Sequence, residues 1–465
     1  MHVAVVGAGP AGIFAALRSA ELGASTTLVS RGAFGGMAAN DGPVPVRTLA
    51  HAARLARDSR QLAQYGISTS DTELNYVSLL ERVRQVVAQV RTHETLRPSL
   101  ERAGVIVLEN TGTARFVDGA TLECERGPRL AVDRVILCTG GSNRGLPVPG
   151  FELTATHSDA WGLTSVPASM LVIGAGATGA QVASVFNELG SRVQIFEAGT
   201  RILGTEDEDV SAAMAAAFRA HGVVVRESFG RIERFETTPT GVRMLYTSAD
   251  RTEAAEASVA VVAIGWQADT VGLNLAAAGV STTPRGYVAV DDYLRTSAAH
   301  VFAAGDVTGR LMFVPHAIHD GYAAATNAVQ GPTLKVADQV SPVGSFTDPE
   351  YAHVGLTEAQ ARADHEIVVA SSPYSDAIRA IIDGHTEGFC KVVVDRSTRA
   401  ILGCHIVGER AVELSQVAAV AVAAATPVGD LARIPWSFPT YTNVFGRAVI
   451  AAARQLDESG IWANK

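Results

Sequence analysis

Read for its hydrophobic and polar positions, the chain opens on an apolar strand, Val3 to Val6. A glycine turn follows, then a helix from Ala11 to about Leu22 and a second strand at Thr26 to Val29. Apolar residues three and four apart mark helical tracts from about Thr48 to Tyr65 and from Leu74 to Ala103. Short β-type segments stand at Val105–Leu108 and Leu122–Cys124, and an apolar strand from Arg134 to Cys138 runs into Thr139-Gly140-Gly141. Near Val166-Pro167 the pattern restarts. Met170 to Ile173 reads as a strand, Gly174 to Gly179 as a turn, Ala180 to Leu189 as a helix and Arg192 to Phe196 as a strand. Further strands run from Val259 to Ile264, ending in Gly265, and from Val301 to Asp306. After Gln330-Gly331-Pro332 the style changes to alternating strands, as in Cys390–Asp395 and Ile401–Val407, with a long apolar helix at Ala411 to Ala425.

The restart is the organising fact. Gly7 and Gly174 stand 167 positions apart, each between a strand and a helix, so a nucleotide-binding βαβ beginning is duplicated within the chain. That predicts an α/β fold of two Rossmann-like units, followed by a third domain of α+β character. The 465 residues leave room for all three, and an apolar fraction of 47% against 18% charged excludes a disordered chain. The net charge of −9 argues against a nucleic-acid partner. The apolar run Val417 to Ala425 is too short to span a bilayer. With no basic leader or cleavage site at the start, the expectation is a cytoplasmic protein without a membrane span. Cys124, Cys138, Cys390 and Cys404 are widely spread, with no metal-ligand spacing. They are expected to be isolated buried thiols, and no metal is expected.

Gly7-x-Gly9-x-x-Gly12 lies where glycines let a backbone turn tightly against a pyrophosphate and a helix N-terminus faces its charge. The following strand runs to Ser30, where an acidic residue ordinarily holds an adenosine ribose; serine supplies one hydrogen bond in its place. Gly174-x-Gly176-x-x-Gly179 repeats the motif, and its strand ends in Glu197. A carboxylate there suits two ribose hydroxyls and repels a 2′-phosphate, so NADH is favoured over NADPH, with Arg201 nearby as a counterweight. Ala303-Ala304-Gly305-Asp306 closes another strand. Its carboxylate suits a ribityl hydroxyl, or no more than a turn.

As a set these motifs resemble the two-dinucleotide-binding-domain flavoproteins: glutathione reductase, dihydrolipoamide dehydrogenase and mercuric reductase. The similarity runs over nearly the whole length. It takes in both fingerprints, Thr139-Gly140-Gly141, Ala263-Ile264-Gly265 and Ala304-Gly305-Asp306. Toward the C-terminus it takes in Phe346-Thr347-Asp348-Pro349-Glu350, Val354-Gly355-Leu356-Thr357-Glu358, and Gly388-Phe389 through Val407-Gly408. The resemblance implies an FAD-binding domain over residues 1–150 and 285–335, an NAD(P)H-binding domain over 151–284, and an interface domain over 340–465 that builds a homodimer. It implies FAD contacts at Gly7, Gly9, Gly12, Ser30, Thr139, Gly140, Gly305 and Asp306, and nucleotide contacts at Gly174, Gly176, Gly179, Glu197 and Gly265.

The departures from that family fall where it does its chemistry. Residues 35 to 47 lie on a pattern close to G-G-T-C-x-N-x-G-C-x-P-S-K, but the two cysteine positions are Ala38 and Pro43 and the lysine is Arg47. No disulfide forms without sulfur. The family's H-P-T-x-x-E segment falls on Phe438 to Asn443, losing its histidine at Phe438 and its glutamate at Asn443. The flavin-side glutamate becomes Gln181, which leaves Arg47 as a permanent cation no longer balanced by a carboxylate. The aromatic that often gates the nicotinamide becomes Ala177.

Carried over, the opposite flavin face consists of Ala38, Asn40, Asp41 and Pro43, with Trp436, Phe438 and Tyr441 from the partner. These aromatics suit a flat acceptor or simply pack the interface. His316 and His319 lie near Asp306 and are read as surface or core histidines. Arg47, Gln181, Phe438 and Tyr441 are thus the candidate catalytic residues. The leading expectation is an FAD-dependent NAD(P)H dehydrogenase of the cysteine-less, quinone-reductase type, delivering electrons to a small organic acceptor. A pyridine nucleotide transhydrogenase, an NADH oxidase, a biosynthetic flavoenzyme on a specialised metabolite and a redox-dead flavin-binding dimer stay open beside it.

Overall fold

The structure, a computed structural model, describes residues 1–68, 73–93, 96–249, 251–336 and 340–457. Four helices recur below: α1 (Pro10–Glu21), α2 (Pro43–Ser59), α3 (Ala177–Glu188) and α4 (Val314–Gln330). The chain divides into two compact units. The first is Met1–Thr48, Val77–Arg144 and Gly265–Asp338; the second is Leu49–Tyr76, Gly145–Ile264 and Gln339–Lys465.

The first unit is built on a parallel five-stranded sheet. Its order is Val301–Ala303, Arg134–Leu137, His2–Val6, Ser25–Val29, Ile106–Leu108. Strand side chains alternate between faces, and both faces are covered, which explains the unbroken apolar runs. Val3 and Val5 pack with Ala11, Ala15 and the alanines of α4, while Ala4 and Val6 pack with Phe116, Leu122 and Val307. Helix α1 lies tightly on α4, because a Cβ added to Gly321 would collide with the backbone carbonyl of Ala11.

The second unit repeats the parallel motif in the order Val224–Arg226, Arg192–Phe196, Ser169–Ile173, Val259–Val262. An antiparallel sheet of Arg231–Thr238, Gly241–Ser248 and Arg251–Ala257 accompanies it. The two are joined through the edge-to-face cluster of Phe196, Phe229 and Tyr246. The same unit holds a five-stranded antiparallel sheet running Val343–Ser345, Tyr351–Gly355, Ile401–Val407, Phe389–Asp395, Ile367–Pro373. Helices Ala411–Ala423 and Thr442–Gln455 bury their alanine- and valine-rich faces on it.

Several expected boundaries move. The helical tract placed at Thr48 starts at Pro43, since Pro43 and Pro45 sit in its first turn, where no amide donor is needed. That tract ends at Ser59, with a separate 3₁₀ turn at Leu62–Tyr65. The tract Leu74 to Ala103 resolves into Tyr76–His93 and Leu96–Arg102. The strand expected to reach Asp306 stops at Ala303, because Gly305 turns the chain at φ +75°. Residues 265–284 were expected with the second nucleotide unit. They fall in the first unit instead, where Trp266–Ala268 pairs antiparallel with Gly141–Asn143. The cysteines also differ from expectation: Cys390 and Cys404 are buried neighbours on adjacent strands, Sγ to Sγ 3.8 Å.

The α1–α4 contact gives the first prediction. Gly321→Val adds two methyl groups where a single Cβ already strikes backbone. It should lower stability by about 3 kcal/mol or more, read as a fall in the denaturant midpoint at unchanged slope.

Candidate active site

In the first unit the fingerprint has little spare room. Gly7 turns at φ +109°, and a Cβ on Gly12 would strike the carbonyl of Gly7. Gly9 differs: its added Cβ would come no nearer than 3.9 Å to Gly36 Cα. The motif therefore forms a tight bend at the N-terminus of α1, with Gly9 in ordinary contact with Gly36. Ser30 is buried, its amide donating to Leu108 at 2.8 Å and its carbonyl accepting from Thr111 at 3.0 Å. Sequence reading missed Glu109, just past the neighbouring strand, which accepts from the Phe34 amide at 3.0 Å and pairs with Arg97.

Some buried polar groups of this unit have no protein partner among the described residues. Thr139 Oγ1 is buried with no hydrogen-bond partner among the described residues, next to Gly140 at φ +78°. Gly305 packs against Ala11 and Ala317, which brings the 305–306 turn to the starts of both α1 and α4. Burial pushes the Asp306 carboxyl up to about 6, and the nearby Asp320 adds to the effect. Asp320, also absent from the sequence reading, is itself raised by burial. His316 is a core histidine with both ring nitrogens buried and without a hydrogen-bond partner among the described residues. Burial, then His319 and Arg310, hold its pKa down, so it stays neutral. A glycine bend at a helix N-terminus, an orphan hydroxyl and a carboxyl short of partners fit a dinucleotide.

Residues 36–40 form a single helical turn. Asn40 donates to the carbonyls of Phe34 (3.0 Å) and Gly36 (2.7 Å), while its Oδ1 accepts from Arg91 Nε at 2.5 Å. Ala38 is half-buried, Pro43 is exposed, and Arg47 is half-buried on α2.

In the second unit Gly174 turns at φ +91°, and a Cβ on Gly179 would strike the Gly174 carbonyl; beside Gly176 the space is open. The first bend is thus reproduced. Glu197 accepts from the Ala175 amide at 2.8 Å and the Gly199 amide at 2.7 Å, which holds its carboxylate at the mouth of the turn. Arg201 is engaged elsewhere, donating to the carbonyls of Gly204 and Glu206 and pairing with Glu208 at 3.3 Å. Gln181 donates to Ala177 O at 3.1 Å and accepts from the Phe346 amide at 3.4 Å.

The C-terminal aromatics do not converge within one chain. Phe438 is 69% exposed, whereas Trp436 packs edge-on against Phe445. Tyr441 is buried and donates its hydroxyl to Asp383 at 3.0 Å; burial and that carboxylate raise its pKa. No group of histidine, cysteine or acidic side chains among the described residues is arranged to hold a metal ion. No helix among them is long and apolar enough to cross a membrane.

With the duplicated bends in view, the comparisons with known proteins are decisive. Residues 1–321 match the description "Pyridine nucleotide-disulphide oxidoreductase", and residues 341–449 match its dimerisation domain. The chain belongs to the pyridine nucleotide-disulphide oxidoreductase family. It is 34% identical to "Dihydrolipoyl dehydrogenase 2" of Haloarcula marismortui over 96% of both chains. It is 30% identical to "Mercuric reductase" of Bacillus cereus, over 92% of this chain and 67% of that one. Among solved structures it resembles the "HOCl-induced flavoprotein disulfide reductase RclA from Escherichia coli", with TM-score 0.85 and 25% identity over 97% of this chain and 99% of the other. It is therefore an enzyme of an FAD-dependent, NAD(P)H-using oxidoreductase family, and its dimerisation domain supports self-association.

Asp306 supplies a pH-dependent test. Its folded pKa of about 6 exceeds the ordinary 3.8, so ionisation opposes folding of the cofactor-free protein. The stability difference between Asp306→Asn and wild type should be near zero below pH 4. It should grow through pH 6 and level off at up to about 3 kcal/mol above. Urea unfolding of stripped protein across pH 4–8 measures it.

Proposed function

We propose that this chain is an NAD(P)H dehydrogenase that transfers electrons through FAD straight to a small, quinone-like acceptor, with no redox disulfide between them. The carrying observation is the segment at residues 36–43, where Ala38 and Pro43 occupy the positions of the family's two thiols. All four cysteines of the chain lie elsewhere and are buried. Phe438 and Asn443 agree with it, since a thiol relay needs an acid–base pair and direct transfer from flavin does not. The intact second bend with Glu197 counts against a redox-dead dimer.

Bound FAD would supply the electron relay; the chain's own residues position and tune it. The fingerprint bend would hold the pyrophosphate and Asp306 the ribityl chain. Arg47 would place a permanent positive charge near the ring. Gly174, Gly176, Gly179 and Gly265 would border the nicotinamide nucleotide, with Glu197 on its ribose. NADH is the preferred donor in this reading: Glu197 presents a carboxylate and the guanidinium of Arg201 is already engaged. Phe438 and Tyr441 would stand at the acceptor side of a homodimer.

The holoprotein should be yellow and bleach under argon with one equivalent of NADH per chain, then recover its colour on adding a benzoquinone. NADPH should be poorer by roughly tenfold in kcat/KM, the worth of about one repulsive contact. Lipoamide and glutathione disulfide should give no turnover. Disulfide reduction at enzymatic rates, or failure of both nucleotides to bleach the flavin, overturns the proposal.

A further inference from the structure

The second unit contains an open-mouthed cavity of about 660 Å³, large enough to seat a small organic molecule. Tyr65, Ile382 and Tyr441 give it apolar walls, and three arginines line it: Arg54, Arg379 and Arg410. Arg54 is mostly buried and committed, 2.7 Å from Glu350 and 3.9 Å from Glu409. The other two are about half exposed and differently placed.

Arg379 gives its Nε to Asp383 at 2.7 Å and stacks over the Tyr441 ring, whose hydroxyl donates to that same carboxylate. This braced wall leaves the Nη edge of Arg379 without a protein partner among the described residues. Tyr65 is braced as well, donating to the Ile382 carbonyl at 2.7 Å. Arg410 has a left-handed backbone, φ +63°, just before helix Ala411–Ala423, and its side chain makes no capping hydrogen bond there. Its sole carboxylate neighbour among the described residues, Glu409 at 3.5 Å, already serves Arg54 and Arg57.

The acids of the cavity are spoken for. Asp58 faces Arg57 and His385, Asp383 faces Arg379 and Tyr441, and Glu409 faces the arginines just named. What stays open is a pair of guanidinium edges beside tyrosine and isoleucine. We propose that this cavity binds a small aromatic acid, its carboxylate taken by Arg379 and Arg410 and its ring packed against Tyr65, Ile382 and Tyr441. A fork of N–H donors suits a planar carboxylate, and the tyrosines favour a flat ring. Tyr441 is shared with the acceptor side proposed above, but the inference does not depend on hydride transfer and is read by equilibrium binding.

The test is calorimetric titration of the flavin-loaded, full-length protein with 2-naphthoate, its neutral isostere 2-naphthamide, and 1-naphthyl phosphate. One naphthoate should bind per chain, roughly tenfold tighter than the amide and no weaker than the phosphate ester. Arg410→Gln and Arg379→Gln should each weaken naphthoate about tenfold while leaving the amide unchanged, and Arg410→Lys should restore part of the loss. Flavin content and melting temperature confirm that each variant is folded. Because Arg379 also braces Tyr441, the deciding variant is Arg410→Gln: its one ion pair among the described residues is with Glu409, which Arg54 and Arg57 still hold. Equal affinity for acid and amide, preference for the phosphate ester, absence of binding, or indifference to Arg410→Gln overturns the proposal.

Discussion

A buried cluster of charge governs the second unit. Arg57, on α2, reaches Asp348 at 2.5 Å and Glu409 at 3.2 Å, while Arg54 one turn earlier reaches Glu350 at 2.7 Å. Glu350 is 1% exposed and also accepts from the Val412 amide. Charges this deep are tolerable only as a set, because removing one partner strands the others at a cost of about 3–5 kcal/mol. The surrounding carboxylates therefore hold Arg57 protonated well beyond the ordinary arginine range, against the pull of burial. Helix α2, the loop at 346–350 and the start of helix Ala411–Ala423 must meet in one arrangement or leave those charges stranded.

From this cluster the order spreads to the nucleotide-binding helix. The Asp348 amide donates to Ser184 Oγ at 2.8 Å, and the Phe346 amide reaches Gln181, both on α3. Arg60, just beyond α2, pairs with Glu188 at the other end of α3. A second charged knot lies near the loop that follows Glu197. There Lys391 sits among Asp207, Asp209 and Glu358, and His353 reaches Glu206 at 2.6 Å. The segment that would carry NADH is thus fixed to the antiparallel sheet at two places.

Much of this molecule was legible in the sequence, for a local reason. Gly12 and Gly179 are each demanded by the carbonyl five residues earlier, so Gly7 to Gly12 and Gly174 to Gly179 announce themselves, although Gly7 and Gly174 also face the distant carbonyls of Cys138 and Ala263. The strands of the parallel sheets are buried on both faces and read as apolar runs. What escaped depends on register and distance. Tyr441 finds Asp383 58 positions away and Arg57 finds Asp348 291 positions away, and no periodicity encodes either pairing. Cys390 and Cys404 touch because Val392 pairs with Cys404 and Cys390 with Ile406, a register fixed by the whole sheet. The return of residues 265–284 to the first unit hangs on a three-residue strand with no apolar pattern of its own.

At Gln181 an amide stands where a carboxylate could only accept hydrogen bonds, with a strength that would change on protonation. The amide does both jobs at once, donating within α3 and accepting from residue 346. It cannot be titrated. This one tie between the nucleotide-binding helix and residue 346 is therefore indifferent to pH, unlike the ion pairs of Glu188 and His353 that share the load.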